Sequence, residues 1–193
     1  MLSAVRKTSM VLFLSGLGLL VILLAGKFQP QQSLPGQDYG QVYDQSVPKP
    51  TRIRIPAIKV DANMVELGLN KNGSLQVPSD PKTVGWYVGG PRPGGVGPAV
   101  MVGHLDSVHG PEIFWNLKNL QIGDTIQVAR EDGSTVTFRV TDKQNYSQNN
   151  FPTDKVYGPI NYPGLRLITC SGTYSRLAGH YSQNLVVYAS LVK

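Results

Sequence analysis

Beyond residue 50, polar and apolar residues follow the short-period patterns of β-strands. Thr51–Ile55 (TRIRI) alternates as a half-buried strand does, and Ala99–Val102 (AVMV) is a continuous apolar run typical of a buried strand. The pattern predicts strands at Thr51–Ile55, Ala57–Asp61, Gly73–Val77, Ala99–Val102, Thr125–Ala129, Thr135–Thr141, Leu165–Thr169 and Asn184–Leu191. This part of the chain is therefore predicted to be mainly β.

One segment has helical spacing instead. Pro111–Leu120 has a proline at its start and apolar residues at Ile113, Leu117 and Leu120, so it predicts a short helix. Arg130–Ser134 is predicted to join two strands as a hairpin. The counts of 21 Gly and 14 Pro favour β structure and loops over a helical bundle. Together these features predict a closed or nearly closed β-barrel with one or two short helices.

The N-terminal pattern is that of a membrane span. Thr8–Gly26 contains no charged residue and would extend about 28 Å as a helix, close to the ~30 Å hydrocarbon core of a bilayer. Arg6 and Lys7 precede it, which predicts a cytoplasmic N-terminus and an extracytoplasmic C-terminal domain. A cleaved signal peptide is the alternative, but the apolar run is long and residues 23–27 match a cleavage site poorly. We therefore expect an uncleaved transmembrane helix in the cell membrane.

Composition divides the chain into three predicted parts. Residues 1–27 form the membrane anchor, residues 28–50 form a flexible linker, and residues 51–193 form the β domain. The linker is rich in Gln and Pro and has no hydrophobic period, so it cannot bury enough apolar surface to order itself.

Charge and motif content exclude several functions. The net charge is +6, but the basic residues are scattered and no recognition helix or basic-aromatic stripe is visible, so no nucleic-acid partner is predicted. The excess charge fits attraction to an anionic envelope or membrane surface. No HExxH, CxxC or GxxxxGK[ST] motif occurs, so no metal and no cofactor are predicted.

Cys170 is the single cysteine of the chain and directly follows the predicted strand Leu165–Thr169. An exported domain normally uses cysteines in pairs. An unpaired thiol can be a buried hydrophobic residue, or it can be a nucleophile that attacks carbonyl groups. The choice between these two readings depends on the residues around it.

His104 follows the apolar strand Ala99–Val102 through a glycine, which is a placement that exposes a side chain at a sheet edge. A histidine packed in the core is the common alternative. His109 lies in a loop and is predicted to be solvated, and His180 falls between Cys170 and the last strand. A strand-end histidine beside a strand-end cysteine would provide a nucleophile with an acid–base partner.

Acyl transfer also requires a cation or dipole for the negative charge that develops on the carbonyl oxygen. Arg176 lies six residues beyond Cys170 and is one candidate. A solvated loop arginine is the ordinary alternative, and His180 and Arg92 are the next candidates.

Two segments resemble a known family. Leu167–Cys170 (LITC) resembles the TLxTC signature of the sortases, the membrane-anchored cysteine transpeptidases of Gram-positive bacteria. Gly103–Ser107 (GHLDS) resembles the segment around their catalytic histidine. The resemblance covers Thr51–Lys193 and continues through residues 85–87 and 91–94, which are similar to the class F group, and through 110–115 and 120–124.

The resemblance implies an eight-stranded β-barrel with His104, Cys170 and Arg176 at one groove. Many sortases place their arginine close before the final strand, where residues 179–184 here read GHYSQN, so Arg176 takes that role in this interpretation. Cys170 would attack the Thr–Gly bond of an LPxTG-like motif at the C-terminus of a secreted protein. His104 would protonate the leaving amine, and the thioester would pass to an amine of a peptidoglycan precursor or a pilin lysine.

Two other functions remain open at this point. An L,D-transpeptidase is also an exported Cys/His acyl transferase, although its usual SHGC context differs from the residues around Cys170. A membrane-tethered binding module that has lost activity is the second alternative. The absence of an arginine before the last strand supports it, and the retention of His104 and Cys170 opposes it.

Overall fold

Eight strands close into a barrel in the computed structural model, which describes residues 43–192. The strands in chain order are β1 (Pro50–Ile55), β2 (Val60–Leu67), β3 (Val84–Tyr87), β4 (Gly97–Val102), β5 (Asp106–Ser107), β6 (Gly110–Pro111), β7 (Thr125–Arg130), β8 (Thr135–Ser147), β9 (Pro163–Ser175) and β10 (His180–Leu191). Around the barrel their order is β1-β2-β3-β4-β9-β10-β8-β7, and β7 pairs with β1 to close it; β5 and β6 form a separate small sheet. The predicted mainly β barrel is confirmed.

Two of the strand pairs in the barrel are parallel, and they lie on either side of a hairpin-like pair. β2 runs parallel to β3, and β4 runs parallel to β9, whereas β3 and β4 are antiparallel. In the β4–β9 pair, Val102 of β4 lies opposite Ile168 of β9. Because the strands run in the same direction, their carboxyl ends lie at the same end of the barrel. This places the chain that follows β4 beside the residues that follow Ile168.

The strand alternation separates two apolar clusters. Ile53 and Ile55 of β1, Met101 of β4, and Leu165 and Leu167 of β9 are fully buried and point into the barrel, where they form the main core. The intervening positions of β4 and β9 point to the outer face of the sheet. A second cluster there contains Tyr87, Val100, Val156, Ile168, Val186 and Tyr188.

A short helix covers the outer cluster. Helix α1 (Thr153–Tyr157) buries Val156 completely. The Tyr157 ring stands edge-on to the Tyr87 ring, with 6.3 Å between their centroids, and burial raises the pKa of its hydroxyl. The connection from β8 to β9 is thereby packed against the outer face of the barrel.

The predicted helix at Pro111–Leu120 is wrong. The segment forms successive tight turns that end in a 3-10 helix at Leu117–Asn119, with backbone bonds three residues apart. Phe114, Leu117 and Leu120 are all buried in the main core. Their spacing of three residues suits 3-10 geometry as well as an α-helix, so the apolar pattern could not distinguish the two.

Several strand boundaries also differ from the prediction. Ala57–Asp61 contains a 3-10 turn before β2 begins at Val60, and Lys59 adopts a left-handed conformation there. Gly73–Val77 makes an isolated bridge between Leu69 and Leu75 rather than a strand. β3 was not predicted because its four residues are all buried and show no alternation. β8 and β9 extend well beyond their predicted ends, so Cys170 lies within β9 rather than at its terminus.

The predicted anchor at Thr8–Gly26 lies outside the described residues. Among residues 43–192, no helix is long and apolar enough to span a bilayer. The end of the predicted linker is described, and it contacts the barrel: Arg92 Nη1 donates to the carbonyl oxygens of Gln45 and Val47 at 2.6 and 2.8 Å.

Candidate active site

Cys170 lies on the outer face of β9, at the point where β9 loses one of its two neighbours. Its side chain is half-buried and free. Side chains along β9 alternate between the two faces of the sheet. Ile168 and Cys170 therefore face outward, whereas Leu167 packs in the core. Pairing with β4 ends at Ile168, whereas pairing with β10 continues and sets Asn184 opposite Cys170. The thiol is therefore held by the sheet but open on the side where β4 has ended.

The backbone that carries His104 is bonded to the residues just before Cys170. Gly103 N–H donates to the Ile168 carbonyl at 3.2 Å, and Thr169 Oγ1 donates to the Gly103 carbonyl at 2.9 Å. These two bonds tie the start of the His104 loop to the strand that carries the thiol. The structure thus brings His104 and Cys170 to the same end of the β4–β9 pair, as the sequence predicted.

Glycine is required at position 103 by close packing. A Cβ atom there would lie 2.7 Å from the ring of Phe114 and 2.9 Å from Ile113, both shorter than real Cβ contacts. The Phe114 N–H also donates to the His104 carbonyl at 2.9 Å. The turn after Pro111 therefore packs against the loop that carries His104. The close approach of Phe114 and Ile113 explains why a glycine lies between the strand and the histidine.

The imidazole of His104 is oriented by the loop between β2 and β3. Its Nε2 lies 2.8 Å from the Pro78 carbonyl oxygen. A carbonyl can only accept, so Nε2 carries a proton in this arrangement and Nδ1 is the nitrogen left to exchange one. The half-buried ring is thereby set up to accept a proton at Nδ1 and to return it.

A carboxylate also acts electrostatically on the thiol. Burial raises the pKa of Cys170, and the negative charge of Asp106 raises it further. Asp106 lies two residues beyond His104 and accepts a hydrogen bond from the Tyr181 hydroxyl at 2.6 Å, which raises the pKa of Tyr181 to about 12. Burial and the Asp106 charge therefore both favour the thiol over the thiolate at Cys170.

The sequence pattern did not single out Asp106, Tyr181 or Asn184 as neighbours of the site. Asp106 stood in the GHLDS segment, but the pattern gave no reason to bring its carboxylate toward the thiol. Tyr181 and Asn184 depend on the register between β9 and β10, which the residues alone did not fix. That register is interrupted by a bulge between Tyr181 and Gln183.

Arg176 directly follows the end of β9. It lies in the exposed turn between β9 and β10, and within residues 43–192 it makes no hydrogen bond or ion pair. Its role beside the thiol stays a prediction.

The other candidate residues, His109, His180 and Arg92, are described by their exposure and their own contacts. His109 is exposed in the turn between β5 and β6. The ring of His180 contacts the carbonyl of Tyr181, and Arg92 bonds to the segment before β1. Among the described residues, no cluster of three or more His, Cys, Asp or Glu side chains could hold a metal ion.

The barrel places a thiol and an imidazole next to the point where the parallel pairing of β4 with β9 ends, and these are the two groups that thiol acyl transfer uses. The sequence model of the sortase domain matches residues 53–192. The chain belongs to the sortase family. No curated protein matches it in sequence.

Solved sortase structures share the fold. Sortase A from Corynebacterium diphtheriae aligns with a TM-score of 0.57 at 24% identity, over 76% of this chain and 61% of that one. Sortase C-1 from Actinomyces oris aligns with a TM-score of 0.56 at 24% identity, over 75% of this chain and 76% of that one. Sortase C of Streptococcus pneumoniae gives 0.57 at 20% identity, over 76% and 70%. The chain thus spans less than two thirds of the Corynebacterium protein, and these identities establish the fold alone.

Proposed function

We propose that the protein is a cysteine transpeptidase that cleaves an LPxTG-like sorting motif and transfers the released carboxyl group to an amine. The observation that carries this proposal is the pair of hydrogen bonds that ties Gly103, directly before His104, to the two residues before Cys170. They join the backbones that carry His104 and Cys170 where the pairing of β4 with β9 ends, which supports the roles of acid–base partner and nucleophile for these two residues.

Both half-reactions use the Cys170 thiol as nucleophile and the His104 imidazole as proton carrier. The Cys170 proton passes to His104 as Sγ attacks the carbonyl carbon of the motif's threonine. The tetrahedral oxyanion then collapses, the Thr–Gly bond breaks, and His104 returns the proton to the leaving amine. A thioester between Cys170 Sγ and the threonine carbonyl remains. An acceptor amine attacks it and loses a proton to His104, which gives a new amide and regenerates the thiol.

The raised pKa of Cys170 bears on the first step. The proton moves to His104 when the substrate is bound, because burial and Asp106 both disfavour a thiolate beforehand. Exclusion of water decides between transfer and hydrolysis of the thioester.

The partners and location are inferred from the family and the chain together. We infer secreted proteins with a C-terminal sorting motif as substrates, and a peptidoglycan precursor or a pilin lysine as acceptor. One structural neighbour is described as sortase C1 of a streptococcal pilus island, which supports the pilin lysine as one acceptor to test. The apolar stretch Thr8–Gly26 with Arg6 and Lys7 before it supports a single-pass membrane protein with its catalytic domain outside.

The class F-like assignment also remains our proposal. It is based on the segments at 85–87 and 91–94, while the structural neighbours named above are sortases A and C. A panel of sorting-motif peptides combined with several amines would define the subtype by its preference.

Turnover of peptides by the full chain tests the activity. We expect mass spectrometry to find cleavage between Thr and Gly and, with an added amine, a ligated product. Cys170→Ala should abolish both products with an unchanged fold, because it removes one sulfur from a half-buried position. Peptide binding without cleavage by the wild-type chain would instead favour the binding-module alternative.

Protease protection tests the topology. Protease added to intact protoplasts should degrade or release the C-terminal domain. A domain that is protected until the cells are lysed would contradict the proposed orientation. Sequencing from the N-terminus should find Met1 or Leu2, whereas a start between Lys27 and Gln32 would show a cleaved signal.

A further inference from the structure

Acyl transfer at Cys170 requires a hydrogen-bond donor for the oxyanion, and Arg176 lies in the exposed turn that follows β9. We propose that the side-chain amide of Asn184 donates this hydrogen bond from the neighbouring strand. The inference rests on the proposed function, because it assigns a role within the same reaction.

The strand register places Asn184 beside the reacting atom. Asn184 of β10 lies directly opposite Cys170 of β9 in an antiparallel pair. Side chains at directly opposed positions point to the same face of the sheet, with Cβ atoms about 4.5–5.5 Å apart. A carbonyl carbon bonded to Cys170 Sγ therefore holds its oxygen within reach of an Asn184 amide. Both side chains are half-buried, so the substrate can reach them.

The asparagine amide is already oriented. Gln148, in the turn after β8, donates from Nε2 to the Asn184 Oδ1 at 3.2 Å. That bond occupies the acceptor end of the amide and leaves the donor end, Nδ2, for another partner. Within residues 43–192, Nδ2 has no hydrogen-bond acceptor. A polar donor that is half-buried and unpaired beside a nucleophile has the position that an oxyanion donor requires.

The charge around the thiol agrees with a neutral donor. A permanent cation beside Cys170 would favour the thiolate and lower its pKa. The charged group that acts on Cys170 is instead the Asp106 carboxylate, and its effect is in the opposite direction. An amide dipole supplies a donor in the transition state without stabilising a resting thiolate. The site therefore activates the thiol only when a substrate carbonyl accepts the charge.

The expected effect is large. Loss of one asparagine donor from an oxyanion hole lowers turnover by about 10²–10³-fold in a well-studied hydrolase. We expect a fall of that order in the rate of acylation of Cys170 when Asn184 is replaced by a residue that cannot donate. Alkylation of the thiol by iodoacetamide proceeds without an oxyanion, so its rate should stay within about twofold of wild type.

The test uses the full chain and four proteins. Asn184→Ala removes the amide, and Asn184→Leu removes it while keeping the volume, so at least one variant preserves the packing of β10. Asn145→Ala is the matched control, because Asn145 lies opposite Leu185, on the other face of the sheet from Asn184, and accepts from Ser171 Oγ. Acylation by an LPxTG peptide and alkylation by iodoacetamide are measured for each, together with thermal unfolding.

The outcomes distinguish the role of Asn184 from the proposed transpeptidase activity. The proposal predicts acylation reduced by about 10²–10³-fold in both Asn184 variants, normal alkylation, and a near-normal Asn145→Ala control. Normal acylation in a folded Asn184 variant would overturn the role of Asn184 and leave the transpeptidase activity standing. A wild-type chain that alkylates but never acylates would overturn the proposed function and this inference with it.

Discussion

The two halves of β9 differ in how firmly the fold holds them. From Pro163 to Cys170 the strand lies against β10, and as far as Ile168 also against β4; its inward side chains are fully buried. From Ser171 to Ser175 it pairs with β10 alone, and most of it is exposed. The nucleophile lies at the boundary between them. The half with two neighbouring strands leads directly into Cys170, and the half with one forms an exposed hairpin with β10.

A bulge marks the same boundary. Gly172 has φ of 79°, and a Cβ atom there would lie 2.5 Å from Ser182 Oγ, so only glycine fits. Ser182 Oγ in turn accepts from the Thr173 N–H at 3.1 Å. The extra residue on β9 increases the local twist and directs the hairpin beyond it. The turn of that hairpin carries Arg176, which is exposed.

The largest effect on turnover is expected for His104, which lies beside the half of β9 that has two neighbouring strands. His104→Gln should lower turnover of an LPxTG peptide by about 10²–10⁴-fold, because general acid–base catalysis contributes that much. His109→Gln, at an exposed loop position, is the matched control and should leave turnover unchanged. Turnover at the wild-type rate by both variants would contradict the role of His104.

The bond that joins the two catalytic backbones should contribute measurably to stability. Thr169→Val removes the hydroxyl that donates to the Gly103 carbonyl and leaves that carbonyl without its partner, which should lower the free energy of unfolding by about 1–3 kcal/mol. Thr173→Val lies in the exposed half of β9 and should change it by about 0.5 kcal/mol or less. Urea denaturation of the full chain measures both. Equal effects in the two variants would contradict the distinction between the halves.

The charge of Asp106 should be visible in the reactivity of the thiol. Asp106 raises the pKa of Cys170, so Asp106→Asn should lower that pKa and speed alkylation at pH 8. The midpoint of the alkylation rate against pH should therefore move down in Asp106→Asn and stay in place in Glu112→Gln, which changes a charge in the same loop. An unchanged midpoint in Asp106→Asn would show that the carboxylate does not act on the thiol.

The smallest effect is expected at the hairpin tip. Arg176→Ala should leave peptide turnover within about twofold of wild type, as Lys71→Ala should, because both residues are exposed in turns. A hundredfold loss in Arg176→Ala alone would show that the tip folds back onto the site during the reaction, and it would restore the role that the family resemblance gave to Arg176.

The sequence predicted the features that depend on local pattern. The alternation at Thr51–Ile55 and the apolar run at Ala99–Val102 correspond to β1 and β4. The positions of His104 and Cys170 followed from the strands before them and from two short motifs. These features need only neighbouring residues along the chain, and they gave the barrel and the thiol–imidazole pair.

Features that depend on contacts between residues far apart in the chain could not be predicted from the sequence. Asn184 faces Cys170 because of the β9–β10 register, and Asp106 meets Tyr181 across 75 residues. The segment from Pro111 to Leu120 was predicted to be helical from Ile113, Leu117 and Leu120, whereas the residues that it buries are Phe114, Leu117 and Leu120, whose spacing of three suits 3-10 geometry. Arg176 was assigned because no other arginine follows Cys170, and the extension of β9 to Ser175, directly before it, could not be read from the pattern.

The central claim is that Cys170 forms a thioester with the carbonyl of a sorting motif. Intact-mass analysis of the full chain after brief mixing with an LPxTG peptide tests it directly. We predict an added mass equal to the peptide up to its threonine, located to Cys170 by peptide mapping and lost on addition of an amine. The absence of this adduct while the peptide is cleaved, or the same adduct on Cys170→Ala, would contradict the mechanism.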